Sequence, residues 1–370
     1  MTDRNAANRV ETLLGYLEHD PGNAELRRDA AHAALAASRF DRALELLDGL
    51  DEQAVSREDR NLRGLALMRG GQPEKAAALF EELLAAAGGD PALQFNLAWS
   101  RALAEDFAGA RAALTAETIE ALPQAALLDV QLLHEGHEFE QAAERAKQHL
   151  ARFPAYRPLL AATSVLALDL DDEPLARRCA EEAGAHPDAL TTLAMLNLAA
   201  SEQSRSRAMF EQALAINERN PRAWVGLGLA NLAAGDAQKA GPLIDKGAGQ
   251  FGDHLGSWIG AGWAYLVAGN RGAARERFHH ALALDDTFAE SHGSLAALAA
   301  MEGNTAEARK RAEVALRLDR HCYSAMLAKV LIARSSGDEM SAAQIVERVL
   351  REPIGPNGRT LFDSIARIAR

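Results

Sequence analysis

In the C-terminal half of the chain, apolar and small residues return on a fixed period. Leu190, Trp224, Trp258, His292 and Met326 stand 34 residues apart. Three and four residues after the first four of these come Leu193 with Ala194, Leu227 with Gly228, Ala261 with Gly262, and Leu295 with Ala296. Positions i, i+3 and i+4 are neighbours on one face of a helix, so the spacing predicts a helix with one apolar side. A small residue follows at Ser201, Gly235, Gly269, Gly303 and Gly337, where a helix can end in the left-handed conformation. A second helix then starts, with an inner face repeating as Ser206, Ala240, Ala274, Ala308 and Ala342, then Phe210, Ile244, Phe278, Ala312 and Val346, then Ala213, Gly247, Ala281, Ala315 and Val349.

The N-terminal half follows the same grammar with slips. Its second-helix alanines, Ala43, Ala76, Ala110, Ala142 and Ala176, are separated by 33, 34, 32 and 34 residues, and the step from Ala176 to Ser206 is only 30. That deficit removes about one turn of helix. Pro91, Pro123, Pro187 and Pro221 mark first turns, where the fixed φ of proline fits and its missing N–H costs little. Gly241-Pro242 falls inside a predicted second helix and is expected to delay or kink it, because an interior proline removes a hydrogen bond and clashes with the preceding turn.

The layout Trp224, Leu227, Gly228, Gly235, Ala240, Gly247, and more fully Trp258, Gly262, Tyr265, Gly269, Ala274, Phe278, Ala281, resembles the tetratricopeptide repeat. The resemblance implies an all-α, right-handed α-solenoid superhelix of about ten stacked antiparallel helix pairs without strands. The domain expectation is an N-terminal capping helix over 1–23, five unevenly spaced repeats over 24–186, five strictly spaced repeats over 187–356, and a C-terminal capping helix over 357–370. In that last segment Leu361, Phe362, Ile365 and Ile368 form an apolar stripe suited to covering the final repeat.

Composition agrees with helix throughout: 48% of the 370 residues are hydrophobic, mostly alanine and leucine, and only 5% are aromatic. A net charge of -12 argues against nucleic acid as partner, because a phosphate backbone calls for a cationic surface. It favours basic or apolar partners. The N-terminal stretch lacks the apolar core of a signal peptide, and the longest near-apolar run, 258–268, is too short to span a bilayer. Cys179 and Cys322 lie far apart in helical surroundings, which fits a reducing compartment, so a cytoplasmic protein without membrane insertion is expected.

No catalytic set or cofactor motif emerges. Gly247-Ala248-Gly249-Gln250-Phe251-Gly252 formally matches a dinucleotide fingerprint but lacks the preceding strand such a loop needs. His134-Glu135-Gly136-His137-Glu138 lacks the i, i+4 histidine pair that would place two metal ligands on one face. Asp169, Asp171, Asp172 and Glu173 read as a solvated acidic turn rather than a calcium loop. The chain is expected to be neither an enzyme nor a metal or cofactor binder.

The resemblance implies that first helices line a concave surface on which a segment of another protein lies. In this register the outward positions are Asn61, Leu65, Met68, Phe95, Asn96, Trp99, Gln131 and His134, then Met195, Leu198, Val225, Leu229, Leu232, Ile259, Trp263 and Leu266. The second group is poor in charge, as an apolar groove would be, although single residues such as Leu232 and Leu266 also fit burial between repeats. Trp99 and Trp263 are the leading anchors, since large aromatics often dominate interfaces. The carboxylate clamp of chaperone-binding relatives is incomplete: Arg28 and His32 are followed by Leu62, Ala92 and Asn96. These features point to an interaction scaffold or adaptor for an apolar, amphipathic or basic polypeptide segment, with self-association open. The alternatives are a peptide-sensing regulator acting through a separate effector, or an accessory subunit of a transferase or other enzyme.

Overall fold

A computed structural model describes residues 2–351, 353–354 and 359–360. The chain divides into two compact units, residues 1–172 and 173–370. The first holds α1 (Thr2–His19), α2 (Ala24–Ala36), α3 (Phe40–Asp48), α4 (Arg57–Arg69), α5 (Pro73–Ala87), α6 (Pro91–Leu103), α7 (Phe107–Ala113), α8 (Ala116–Ala121), α9 (Pro123–Glu135), α10 (Phe139–Arg152) and α11 (Arg157–Asp169). The second holds α12 (Glu173–Ala183), α13 (Pro187–Ala199), α14 (Gln203–Ile216), α15 (Pro221–Ala233), α16 (Ala237–Phe251), α17 (Leu255–Val267), α18 (Arg271–Leu284), α19 (Ala289–Met301), α20 (Thr305–Leu318), α21 (Tyr323–Ser335) and α22 (Glu339–Arg351). The protein is all-α. After α22, β1 (Pro353–Ile354) pairs antiparallel with β2 (Arg359–Thr360), so Arg359 and Thr360, in the segment expected to form a capping helix, are extended instead. Proline at 353 cannot continue a helix ladder. Leu361, Phe362, Ile365 and Ile368 lie outside the described residues.

One device ends each first helix. At Ser38, Gly71, Glu105, His137, Asp171, Ser201, Gly235, Gly269, Gly303 and Gly337 the backbone φ is positive. The residue after each donates its N–H to the carbonyl five residues back, as Arg39 does to Ala34 at 2.9 Å and Asp338 to Ala333 at 2.9 Å. This satisfies a carbonyl the helix end would otherwise orphan. Glu105, with φ 61°, holds the left-handed conformation without glycine's freedom. The strain is about 1–2 kcal/mol and the extra chain entropy of glycine about 0.5–1 kcal/mol, so Glu105→Gly should stabilise by up to about 1 kcal/mol in urea unfolding of the full chain. A loss of stability would show that the Glu105 side chain contributes more than its backbone costs.

The strict register has two physical sources. The first is a ring N–H on three of the first helices, α15, α17 and α19, that reaches back to the connecting loop. Trp224 Nε1 donates to the carbonyl of Glu218 at 2.8 Å and Trp258 Nε1 to that of Gly252 at 2.7 Å. His292 Nε2 lies 2.9 Å from the carbonyl of Asp286 and donates in the matching tautomer. Each acceptor is six residues upstream, so a slip of one residue would lose the bond.

The second source is size complementarity between paired helices. A Cβ at Gly64 would meet the Phe80 ring at 2.6 Å, one at Gly262 the Phe278 ring at 2.3 Å, and one at Gly228 the Ile244 side chain at 2.4 Å. In each case the bulky partner sits sixteen residues on, at the inner face of the second helix. Phe210 instead enters the space beside Gly226 of the following repeat, 2.2 Å from its Cβ position. Phe80, Phe210, Phe278 and Ile244 are fully buried.

The irregular stretches are resolved locally. α12 has 11 residues against 14 in α14, and the connector that follows, 184–186, is one residue shorter than 217–220, which together account for the short step after Ala176. In the third repeat the second helix is cut to α7, and Thr115 caps the added helix α8 by accepting from the N–H of Thr118. α16 does not start late: it opens at Ala237 and runs through Pro242. Its glycines allow close helix approach, since a Cβ at Gly241 would meet the Tyr265 ring at 2.8 Å and one at Gly247 the carbonyl of Pro221 at 2.7 Å. Packing therefore offsets the proline, but the lost hydrogen bond and glycine entropy remain. Amide hydrogen exchange should be faster over 241–252 than over 258–284, and equal protection would refute this reading of α16.

Candidate functional site

In the first unit, first helices α4, α6 and α9 carry Asn61, Asn96 and Gln131 at 35-residue steps. Asn96 Nδ2 donates to Asn61 Oδ1 at 3.4 Å, so adjacent repeats present these amides side by side. Phe95 and Trp99, one helical turn apart, have ring centroids 5.5 Å apart and tilted by 42°. Trp99 is 39% exposed, and Leu103, one further turn along, is 49% exposed. Gln131 is exposed, while Leu65, Phe95 and the two asparagines are half-buried. His134 Nε2 lies 3.0 Å from Asp169 Oδ2, tying α9 to α11, and His134 also meets the Phe139 ring edge-on at 5.3 Å. Met68 is only 3% exposed and packs in the core with Phe80 rather than facing outward.

Of the predicted second-unit positions, Ile259 is buried, at 7% exposure. Met195, Leu198, Val225, Leu229, Leu232 and Leu266 are half-buried and packed against the hydrophobic clusters between helices. Trp263 is half-buried, 5.7 Å from the Phe278 ring, and its Nε1 donates to Ser294 Oγ at 3.0 Å. Ser294 Oγ in turn donates to Ser324 Oγ at 3.3 Å, and Ser324 Oγ to Glu290. Here the apolar stripe is engaged in holding successive helices together.

The incomplete clamp is occupied from within. Arg28 Nε bonds both carboxylate oxygens of Asp59 at 2.9 and 3.0 Å, and its Nη2 bonds the carbonyl of Ala54 at 2.8 Å. Burial pushes the Asp59 carboxyl up, but the N–H of Ser56, the Arg28 guanidinium and the Ser56 hydroxyl outweigh it and hold the group below its ordinary value. The sequence motifs that suggested chemistry fall on structural features. Gly252 ends α16 with φ 77°, and Gly136 and His137 form the turn after α9. Cys179 and Cys322 are buried and are not joined in a disulfide. Among the described residues there is no group of three or more His, Cys, Asp or Glu able to hold a metal ion, and no helix is long and apolar enough to cross a membrane.

Two clusters were not legible in the sequence. Between α16, α17 and α18, Asp245 accepts from Tyr265 Oη at 2.8 Å and from Arg277 Nε and Nη2 at 2.8 and 2.7 Å. Burial, then the bond to Asp245, pushes the Tyr265 phenol up to about 12. A phenol whose folded value exceeds its unfolded value of about 10 contributes stability that is complete below pH 10 and lost as pH rises toward 12. Tyr265→Phe should therefore flatten the loss of stability between those pH values. An unchanged slope would mean that Tyr265 ionises normally. The second cluster, Arg145, His149 and Arg152, lines a recess in the first unit. Neither cluster has a repeat period: Asp245, Tyr265 and Arg277 come from two repeats, and the three residues of α10 are set by their contacts with Asp129 and Glu120.

The family model for the tetratricopeptide repeat matches residues 61–126 and 191–253. No curated protein sequence matches the chain. Among solved structures, a human IFIT1 dimer with m7Gppp-AAAA is similar at 12% identity and a TM-score of 0.55, covering 89% of this chain and 90% of that one. A monomeric IFIT1 mutant with Gppp-AAAA is similar at 12% identity and a TM-score of 0.54, covering 88% and 90%. At such identity the likeness is one of fold.

Proposed function

This chain is a tetratricopeptide-repeat protein, and from that premise we propose that it is a protein–protein interaction scaffold that holds a polypeptide segment along first helices of its repeats. The observation that carries the reading is Trp99. A large ring left 39% exposed beside Phe95 and a row of carboxamides offers apolar surface to a partner. Each carboxamide carries donors and an acceptor, so Asn61, Asn96 and Gln131 can bond main-chain groups of any extended segment while Trp99 buries an apolar side chain. The second-unit positions from Met195 to Leu266 are the weaker half of this reading, because stacking already engages them. The net charge of -12 favours basic flanks on the segment.

IFIT1, whose fold is similar, was solved with Gppp-AAAA and m7Gppp-AAAA, so the experiment carries an RNA arm. Wild type and Trp99→Ala are used as bait in extracts of the source cell, with and without ribonuclease. Proteins captured by wild type, lost with the variant and insensitive to ribonuclease support the scaffold. Recovery of RNA in their place would replace it with a nucleic-acid function, and a captured transferase or transcriptional effector would narrow it to the accessory or regulatory form.

A further inference from the structure

We propose a second binding site in the first unit, a recess between α8 and α10 that takes a carboxylate carried on a short apolar stem. The recess exists because the third repeat departs from the pattern. α7 stops at Ala113, and the chain turns through Leu114 and Thr115 into α8, which packs on α6 and α9. A space of about 350 Å³ is left between α8 and α10, within the range of about 300–1,000 Å³ usual for small-ligand sites.

Its two walls differ in character. Leu114 and Ile119 give an apolar side, Ile119 being 7% exposed. Opposite stand Arg145, His149 and Arg152, spaced i, i+4, i+7 on one face of α10. The arginines are held from behind. Arg145 Nε and His149 Nε2 lie 3.1 and 2.8 Å from the same oxygen, Asp129 Oδ2, and Arg152 Nε donates to the carbonyl of Glu120 at 2.6 Å. Each guanidinium is thus fixed through Nε. Among the described residues, the Nη groups of both have no hydrogen-bond partner. His149 is 7% exposed, so the pair it forms with Asp129 is part of the built wall and not a surface contact. Of the lining residues Glu120 alone is acidic, against two arginines, in a chain of net charge -12. Two anchored guanidiniums facing an apolar wall match an anionic head with a greasy stem, as in the last residue of a polypeptide ending in leucine or in a small aliphatic acid.

The test is calorimetric titration of the full chain with N-acetylleucine, with a tetrapeptide Ala-Ala-Ala-Leu bearing a free carboxylate, with the amides of both, and with inorganic phosphate. Saturable binding of the acids, at least about tenfold weaker for the amides, is expected, because charge-assisted hydrogen bonds to the arginines are lost. Tighter binding of the tetrapeptide would assign the site to a chain terminus, and equal binding to a small acid. In side-chain NMR the Arg145 and Arg152 Nε–H signals should move on titration. Arg145→Gln with Arg152→Gln should abolish binding. Because those changes also loosen α10, Ala116→Glu serves as the control: Ala116 is exposed on the rim at the start of α8, and an acid there should weaken the acids about tenfold without lowering the melting temperature. Amides that bind as well as acids, phosphate that binds as tightly as N-acetylleucine, arginine signals that stay still, or an Ala116→Glu variant with unchanged affinity would each overturn the proposal.

Discussion

Cutting Phe278 to alanine is expected to cost about 4 kcal/mol, because a fully buried ring leaves a cavity its neighbours cannot close. The ring lies against bare backbone at Gly262, where even a Cβ would be 2.3 Å away. Gly262→Ala would gain about 1 kcal/mol of helix propensity at an ordinary site. Here the clash outweighs it, since overpacking a filled core costs about 1–3 kcal/mol and the obstructing atoms belong to a ring held on all sides. Gly262→Leu should cost more still. Combining Gly262→Leu with Phe278→Ala returns volume from one helix to the other, so the double variant should be markedly more stable than the sum of the two losses. Repeat proteins need not unfold in one step, so the measurement is hydrogen exchange over α17 and α18 together with urea unfolding. Strict additivity would show that the two positions do not share the space, and a neutral Gly262→Ala would show that α17 and α18 shift apart easily.

Trp99→Ala is expected to weaken partner binding by about thirtyfold, the equivalent of about 2 kcal/mol for an aromatic anchor, with little change in melting temperature. The ring is 39% exposed, and among the described residues its one aromatic neighbour is Phe95 and its indole N–H has no partner. Trp263→Ala should behave in the opposite way. That ring packs on Phe278 and donates to the buried Ser294, so its removal opens a cavity and leaves a buried hydroxyl short of a donor, costing about 3 kcal/mol of stability. Melting curves and titration with a captured partner segment, run on both variants, separate the roles. If Trp99→Ala melts early and binds normally while Trp263→Ala does the reverse, the binding face lies in the second unit.

Local features of the sequence determined the helices, their order and their ends. Proline at a first turn, a small residue at a helix end and apolar residues at i, i+3 and i+4 act within one or two turns, so they can be read without knowing what packs where. The 34-residue step was equally legible, and the ring N–H bonds of Trp224, Trp258 and His292 to carbonyls six residues upstream are its local cause. Which apolar residues stay open to solvent was decided by the tertiary structure. Trp99 and Trp263 occupy similar places in the pattern, yet one is 39% exposed while the other is half-buried against Ser294 and Phe278, a difference set by contacts between helices that no local pattern encodes. The α8–α10 recess and the Tyr265–Asp245–Arg277 cluster were likewise beyond the sequence. They bring together residues 20 to 32 or more positions apart through long side chains, and no period or propensity encodes that reach. Even Pro242, which by itself argues against a helix, sits inside α16 because close packing at Gly241 and Gly247 offsets a penalty that local rules alone would enforce.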